Sequence, residues 1–98
     1  MPNDIILLFR DEFGDIVTNV KHKWIAHSPN GFEWGYKGSG PSDLALNILL
    51  EFVDKDIAWK LHHLFKDDFI VEMPIKGGTI SSRQVKQWLE AKNVECKL

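Results

Sequence analysis

One short segment gathers most of the side chains able to do chemistry: Glu33, Trp34, Tyr36 and Lys37, then Gly38, Ser39 and Gly40, then Pro41. A glycine-rich run that enters a helix exposes backbone N–H groups beside the positive end of the helix dipole, an arrangement that attracts phosphate or carboxylate. Lys37 adds a charge. Glu33, Trp34, Tyr36, Lys37, Gly38, Ser39 and Gly40 therefore make a candidate nucleotide or anion site. It is not a Walker loop, which needs Lys where this chain has Pro41, nor a Rossmann fingerprint, since the second strand and the ribose-binding acid are missing at the required spacing. Read structurally, the same glycines allow a tight strand-to-helix turn beneath the bulky Trp34 and Tyr36.

Glu33 stands alone, without a second acid or a histidine at a useful spacing, so no catalytic residue is assigned. Of the four histidines, His62 and His63 are adjacent and are expected to point to different sides of a helix, while His22 and His27, an odd number apart, would face opposite sides of a strand. Neither pair has the three- or four-residue spacing that grips a metal on a helix, and no metal or other cofactor is expected. Near the C-terminus, Arg83, Lys86, Gln87 and Lys92 fall on the side of a helix away from Val85, Trp88 and Leu89. That pattern suits a DNA-recognition helix or the solvated face of an amphipathic one, and Glu90 and Glu95 dilute its charge.

Twelve basic residues against fourteen acidic ones give a formal net charge of -2. This excludes broad, sequence-blind binding to nucleic acid, which leans on many Lys and Arg contacts to phosphate. Cys96 is the single cysteine, which points to a reducing compartment. An acidic residue precedes the first apolar run, unlike a signal or transit peptide, and no run approaches the roughly 20 apolar residues that span a bilayer. A cytoplasmic protein without membrane attachment is expected.

The elements that must position these residues read as one domain over residues 1–98. Residues 4–10 are rich in Ile, Leu and Phe and read as a strand, followed by an acidic turn with Gly14 and a β-branched second strand over about 16–25. After the turn at Ser28, Pro29, Asn30 and Gly31, the alternation of Phe32, Trp34 and Tyr36 predicts a third strand over 32–36. Pro41 suits a helix start, and Leu44, Ala45, Ile48, Leu49, Phe52 and Val53 recur at helical spacing. A second helix is predicted over about 56–65, a fourth strand over 69–73 and a loop over 75–79. Ser81 and Gln84 form a capping box, with Ile80 and Val85 as its hydrophobic staple, on a helix ending near Asn93. The sum is an α+β domain in the order βββααβα, an antiparallel sheet of three to four strands with helices on one face. Its core should hold Ile6, Leu8, Phe32 or Trp34, Leu44, Ile48, Leu49, Phe52, Leu61, Phe65, Val85, Trp88 and Leu89.

Residues 32–46 resemble an uncharacterised family of small domains from bacteria and their phages, whose core reads Phe-Glu-Trp-Gly-Tyr-Gly-Gly-Ser-Gly-Pro followed by Leu-Ala-Leu and a helix. Phe65-Lys66 and Trp88-Leu89 fall in a similar order. Lys37 stands where that pattern has Gly, so this position does not demand a glycine-only conformation. The resemblance brings no known activity. It implies a prokaryotic or phage setting in which small proteins bind and block a larger host complex. The expectation is a non-enzymatic interaction domain of phage or mobile-element type, an inhibitor of a bacterial defence complex, whose partner is a host or phage protein assembly. A nucleotide or anion binder and a small DNA-binding module are the alternatives.

Overall fold

In strand β1 (Ile5–Arg10) the alternation required of a pleated strand is plain: Ile6 and Leu8 are buried, whereas Ile5, Leu7 and Phe9 are exposed. The computed structural model describes residues 4–96. After β1 the chain reverses through a turn in which the Asp11 carboxylate accepts the N–H groups of Phe13 and Asp15, both at 2.9 Å. Strand β2 (Ile16–Thr18) then pairs antiparallel with β1, Leu8 opposite Thr18 and Phe9 opposite Val17. The other edge of β1 takes strand β3 (Gly77–Ser81), also antiparallel, with Ile6 opposite Ile80. The sheet order is β2-β1-β3.

Helices α1 (Ser39–Leu49), α2 (Lys55–Phe65) and α3 (Ser82–Ala91) complete the α+β fold, with a π-helical turn over Lys66–Ile70 continuing α2. Every residue of α1 from Gly40 to Leu49 is buried, so this helix is the centre of the molecule and not a surface element. The α3 start is as expected: Ser81 Oγ accepts from the Gln84 N–H at 3.0 Å, and the Gln84 side chain accepts from the Ser81 N–H at 2.8 Å. Asn93 takes the left-handed conformation, φ 60°, just beyond the helix.

Four expectations fail, each for a physical reason. The second strand ends at Thr18 and not near residue 25, because the following N–H groups find partners on α1. Asn47 Oδ1 accepts from Lys23 at 2.7 Å and Trp24 at 2.9 Å, and Asn47 Nδ2 donates to the Trp24 carbonyl. One turn earlier, Asp43 Oδ1 accepts from His27 at 2.9 Å and more loosely from Ala26, and its Oδ2 accepts from Ser28 at 2.9 Å. Asp43 and Asn47 are both fully buried. The Asn19 side chain prolongs the ladder in place of backbone, accepting from Leu7 N and donating to the Ile5 carbonyl.

The third predicted strand, 32–36, does not form either, and the expected three-strand meander is absent among the described residues. Gly35 adopts φ 86° and donates to the Ile70 carbonyl, which turns the chain. The supposed common face of aromatics is thereby split: Trp34 is fully buried and Tyr36 is 48% exposed. The fourth predicted strand, 69–73, is instead the end of the π-helical turn followed by a non-helical turn at 71–73, with Phe69 stacked on Phe65 at 4.6 Å. The predicted loop at 75–79 contains most of β3. Glycines weaken a strand in general, yet here Gly77 (φ 110°) lies so close to β1 that a Cβ would collide with the Leu8 carbonyl.

The buried apolar side chains form one cluster that includes Ile6, Leu8, Phe32, Trp34, Leu44, Ile48, Leu49, Phe52, Phe65, Val85 and Leu89, as the sequence predicts. Leu61 and Trp88 are only half-buried at its margin. Among the described residues no helix is long and apolar enough to cross a membrane.

Replacing Asn47 by Ala strands two loop N–H groups and a carbonyl, and should cost about 2–4 kcal/mol. Urea unfolding of Asn47→Ala should show a midpoint lowered accordingly; a loss below about 0.5 kcal/mol would mean that the loop does not depend on this side chain.

Candidate functional site

The glycine-rich segment is held by a clamp at the end of β1. Arg10 grips the Glu33 carboxylate with both terminal nitrogens, at 2.6 and 3.3 Å, while its Nε donates to the Ile75 carbonyl at 2.7 Å. The same carbonyl accepts the Trp34 indole N–H at 2.9 Å, and the guanidinium lies 4.8 Å from the Trp34 ring centre. Arg is suited to this place because its planar fork meets a carboxylate bidentately and stacks on an aromatic face at once. The hydrogen bond from Arg10 holds the Glu33 carboxyl below its ordinary pKa, against the opposing effect of partial burial. Glu33 is therefore an anchored anion and a poor proton acceptor.

Beside the clamp lies a cleft of about 670 Å³ between β2 and the head of α1, with His22, Asn30, Tyr36, Ser39 and Gly40 in its lining. Gly38 precedes the helix in extended conformation and, having no side chain, supplies no cap to the helix start. Gly40 allows the close approach to Glu33, since a Cβ there would come within 2.8 Å of the Glu33 Cβ. On the inner wall the His22 ring packs against Phe32 at 4.2 Å between centroids. Its Nε2 is buried without a hydrogen-bond partner among the described residues, 3.5 Å from Asp43 Oδ2.

Of the residues singled out in the sequence, Glu33, Tyr36, Ser39 and Gly40 line this cleft, whereas Trp34 is core and Lys37 is an exposed residue outside the lining set. His22 and Asn30 belong to the cleft and were missed, because 19–31 read as strand and turn and not as a segment bound to α1. On α3 Arg83 is exposed and Lys86 is half-buried, and Lys92, just past its end, is exposed. Lys92 Nζ lies 5.2 Å from the centre of the Trp88 ring, and Trp88 Nε1 donates to Asp68 at 2.7 Å, which brings an acid to the basic helix.

The histidines depart furthest from expectation. The rings of His62 and His63 do not diverge but lie 4.1 Å apart between centroids, and the loop held by Asp43 brings in His27, whose Nε2 is 2.9 Å from His62 Nε2. One ring nitrogen from each of the three lies within 4.8 Å of the others. Trp59 stacks on His27 and leans on His62. Burial pushes the pKa of His62 and of His63 below the ordinary imidazole value.

Fold and cleft together define a small α+β domain built around one helix buried from Gly40 to Leu49, with an open polar cleft at that helix's start. The chain belongs to DUF6166, a family of unknown function, which it matches over residues 9–91. No curated protein and no solved structure matches the chain.

Because the carboxyl of Glu33 has a lowered pKa in the fold, its contribution to stability is present above the unfolded value of about 4.3 and is lost as pH falls through the folded value. Glu33→Gln should lower the urea midpoint at pH 7 by the equivalent of about 1 kcal/mol or less, a third of the side chain being in water. The gap should narrow as pH falls below about 4; an equal gap at neutral and acid pH would show that the ion pair is not its source.

Proposed function

We propose that this chain is a non-enzymatic interaction domain that docks a partner protein on the outer face of its sheet. The observation that carries the reading is the outward row of the central strand, Ile5, Leu7 and Phe9, which are 47%, 42% and 46% exposed. The solvated face of an antiparallel sheet is ordinarily polar, so a contiguous exposed apolar patch there marks a docking surface. The register extends the patch sideways, with Val17 opposite Phe9 on one flank and Thr79 opposite Leu7 on the other. Gly77, opposite Phe9, contributes no side chain to cover that ring. The resemblance noted in the sequence supports a partner within a larger bacterial or phage assembly, and inhibition of a defence complex as the outcome of docking.

Leu7→Lys combined with Phe9→Lys alters only outward positions and should leave the fold intact. Tagged wild type purified from its own host should carry a stoichiometric partner that the double variant loses, at unchanged circular dichroism. Equal recovery from both proteins, or no stoichiometric partner with either, would overturn the proposal.

A second reading is favoured by the uncapped start of α1 within the cleft: a nucleotide or other anion held at Ser39 and Gly40, with its base or body against Tyr36. Nucleotides and cyclic dinucleotides should then raise the thermal midpoint by a few degrees at saturating concentration, an effect reduced in Tyr36→Ala. A flat screen removes this reading. DNA binding by Arg83, Lys86 and Lys92 draws less support, since Asp68 and Glu90 share their surroundings.

A further inference from the structure

We propose that His27, His62 and His63 form a three-imidazole site for a borderline divalent cation such as Zn²⁺. The site is distinct from both the sheet face and the cleft. His27 comes from the loop bound to α1, and His62 and His63 from the last turn of α2.

The geometry of the His27–His62 pair is the core of the argument. The two Nε2 atoms face each other at 2.9 Å. His62 Nδ1 lies 2.6 Å from the carbonyl oxygen of Trp59, which can only accept, so Nδ1 carries the proton and Nε2 presents a bare lone pair. This N–H to carbonyl contact is how metal-ligating histidines are commonly oriented, the second nitrogen fixing the tautomer of the first. In the absence of a cation, the His27 Nε2–H donates to that lone pair. Moving the His27 proton to Nδ1 leaves a second lone pair aimed at the same point.

The distances suit an ion. In a tetrahedral zinc site with Zn–N bonds of 2.0–2.1 Å, ligand nitrogens stand about 3.3 Å apart. The His27–His62 pair needs to open by only a few tenths of an ångström. The His63 nitrogen, within 4.8 Å of the others, has further to travel, and His63 is exposed and able to swing. Lys66 Nζ, 3.4 Å from His63 Nδ1, is on a flexible stem and can withdraw as the ring turns.

The frame behind the ligands is rigid. The His27 backbone N–H is bonded to the buried Asp43 at 2.9 Å, and Trp59 stacks on the His27 ring with a 12° interplanar angle. His62 is 1% exposed, so its ring is set by packing. Three imidazoles leave the fourth position of a tetrahedral ion open to water or an outside ligand, as in catalytic zinc sites.

Titration calorimetry of the full chain with Zn²⁺ should show saturable uptake of one ion, and Co²⁺ should give the intense visible bands of tetrahedral coordination. His63→Ala, at an exposed position, should keep the fold and weaken Zn²⁺ by at least about tenfold, the lower end of what disturbing a site's supporting shell costs. His27→Ala should do the same, whereas Cys96→Ser should bind as wild type does. No saturable uptake, uptake unchanged in both histidine variants, or uptake lost with Cys96→Ser alone would each overturn the assignment.

Discussion

The structure depends on two polar side chains, one turn apart on a helix that water does not reach. Asp43 and Asn47 face the segment 19–31 and supply the acceptors that a neighbouring strand would otherwise provide. A hydrogen bond to a charged group is worth about 1.5–3 kcal/mol, while a buried carboxylate without partners costs several. Asp43 is tolerable because it meets backbone donors from three successive residues and has an imidazole close by. Asn47 spends its amide in the same way and closes back on the Asp43 carbonyl at 2.8 Å. An irregular segment can thus cover a central helix without leaving its backbone groups unpaired, the condition that normally keeps loops away from cores.

That device explains which parts of the fold were legible in the sequence. The helices were, because their signals are local: the apolar spacing through Leu44, Ile48 and Leu49, and the reciprocal bonds of Ser81 and Gln84, lie within a few residues of one another. β1 and its turn were legible for the same reason. The strand predicted over 16–25 stops at Thr18, and those predicted at 32–36 and 69–73 fail, because distant partners decide them. Val20 to Ile25 has the composition of a strand, but Asn47 holds the backbone there. Phe32, Trp34 and Tyr36 alternate as a strand would, but Gly35 breaks the alternation with a positive φ. β3 was hidden by its glycines, which a loop and a closely apposed edge strand both use.

The candidate sites divide along the same line. That the segment 33–40 turns tightly into a helix was legible from its glycines and Pro41, and Glu33, Tyr36, Ser39 and Gly40 within it line the cleft. The part of Glu33 was not, since its partner Arg10 lies 23 residues away. Nor was the meeting of His27 with His62, which are 35 residues apart and are joined only because Asp43 fixes the loop. Spacing rules for histidines on one helix describe ligands that arrive together; these arrive from two directions.

The π-helical turn at Lys66–Ile70 follows α2 without a break. Such a turn takes more residues around the axis than its α-helical neighbours, and so resets the angular phase of what comes after it. Phe69, four residues on, stacks over Phe65, and both rings meet Trp88 of α3 edge-on at 5.1 and 6.4 Å. Upstream of that point the imidazole-bearing face keeps its own orientation. One continuous rod therefore carries ring contacts to α3 near its end and an imidazole contact to the loop bearing His27 just before them.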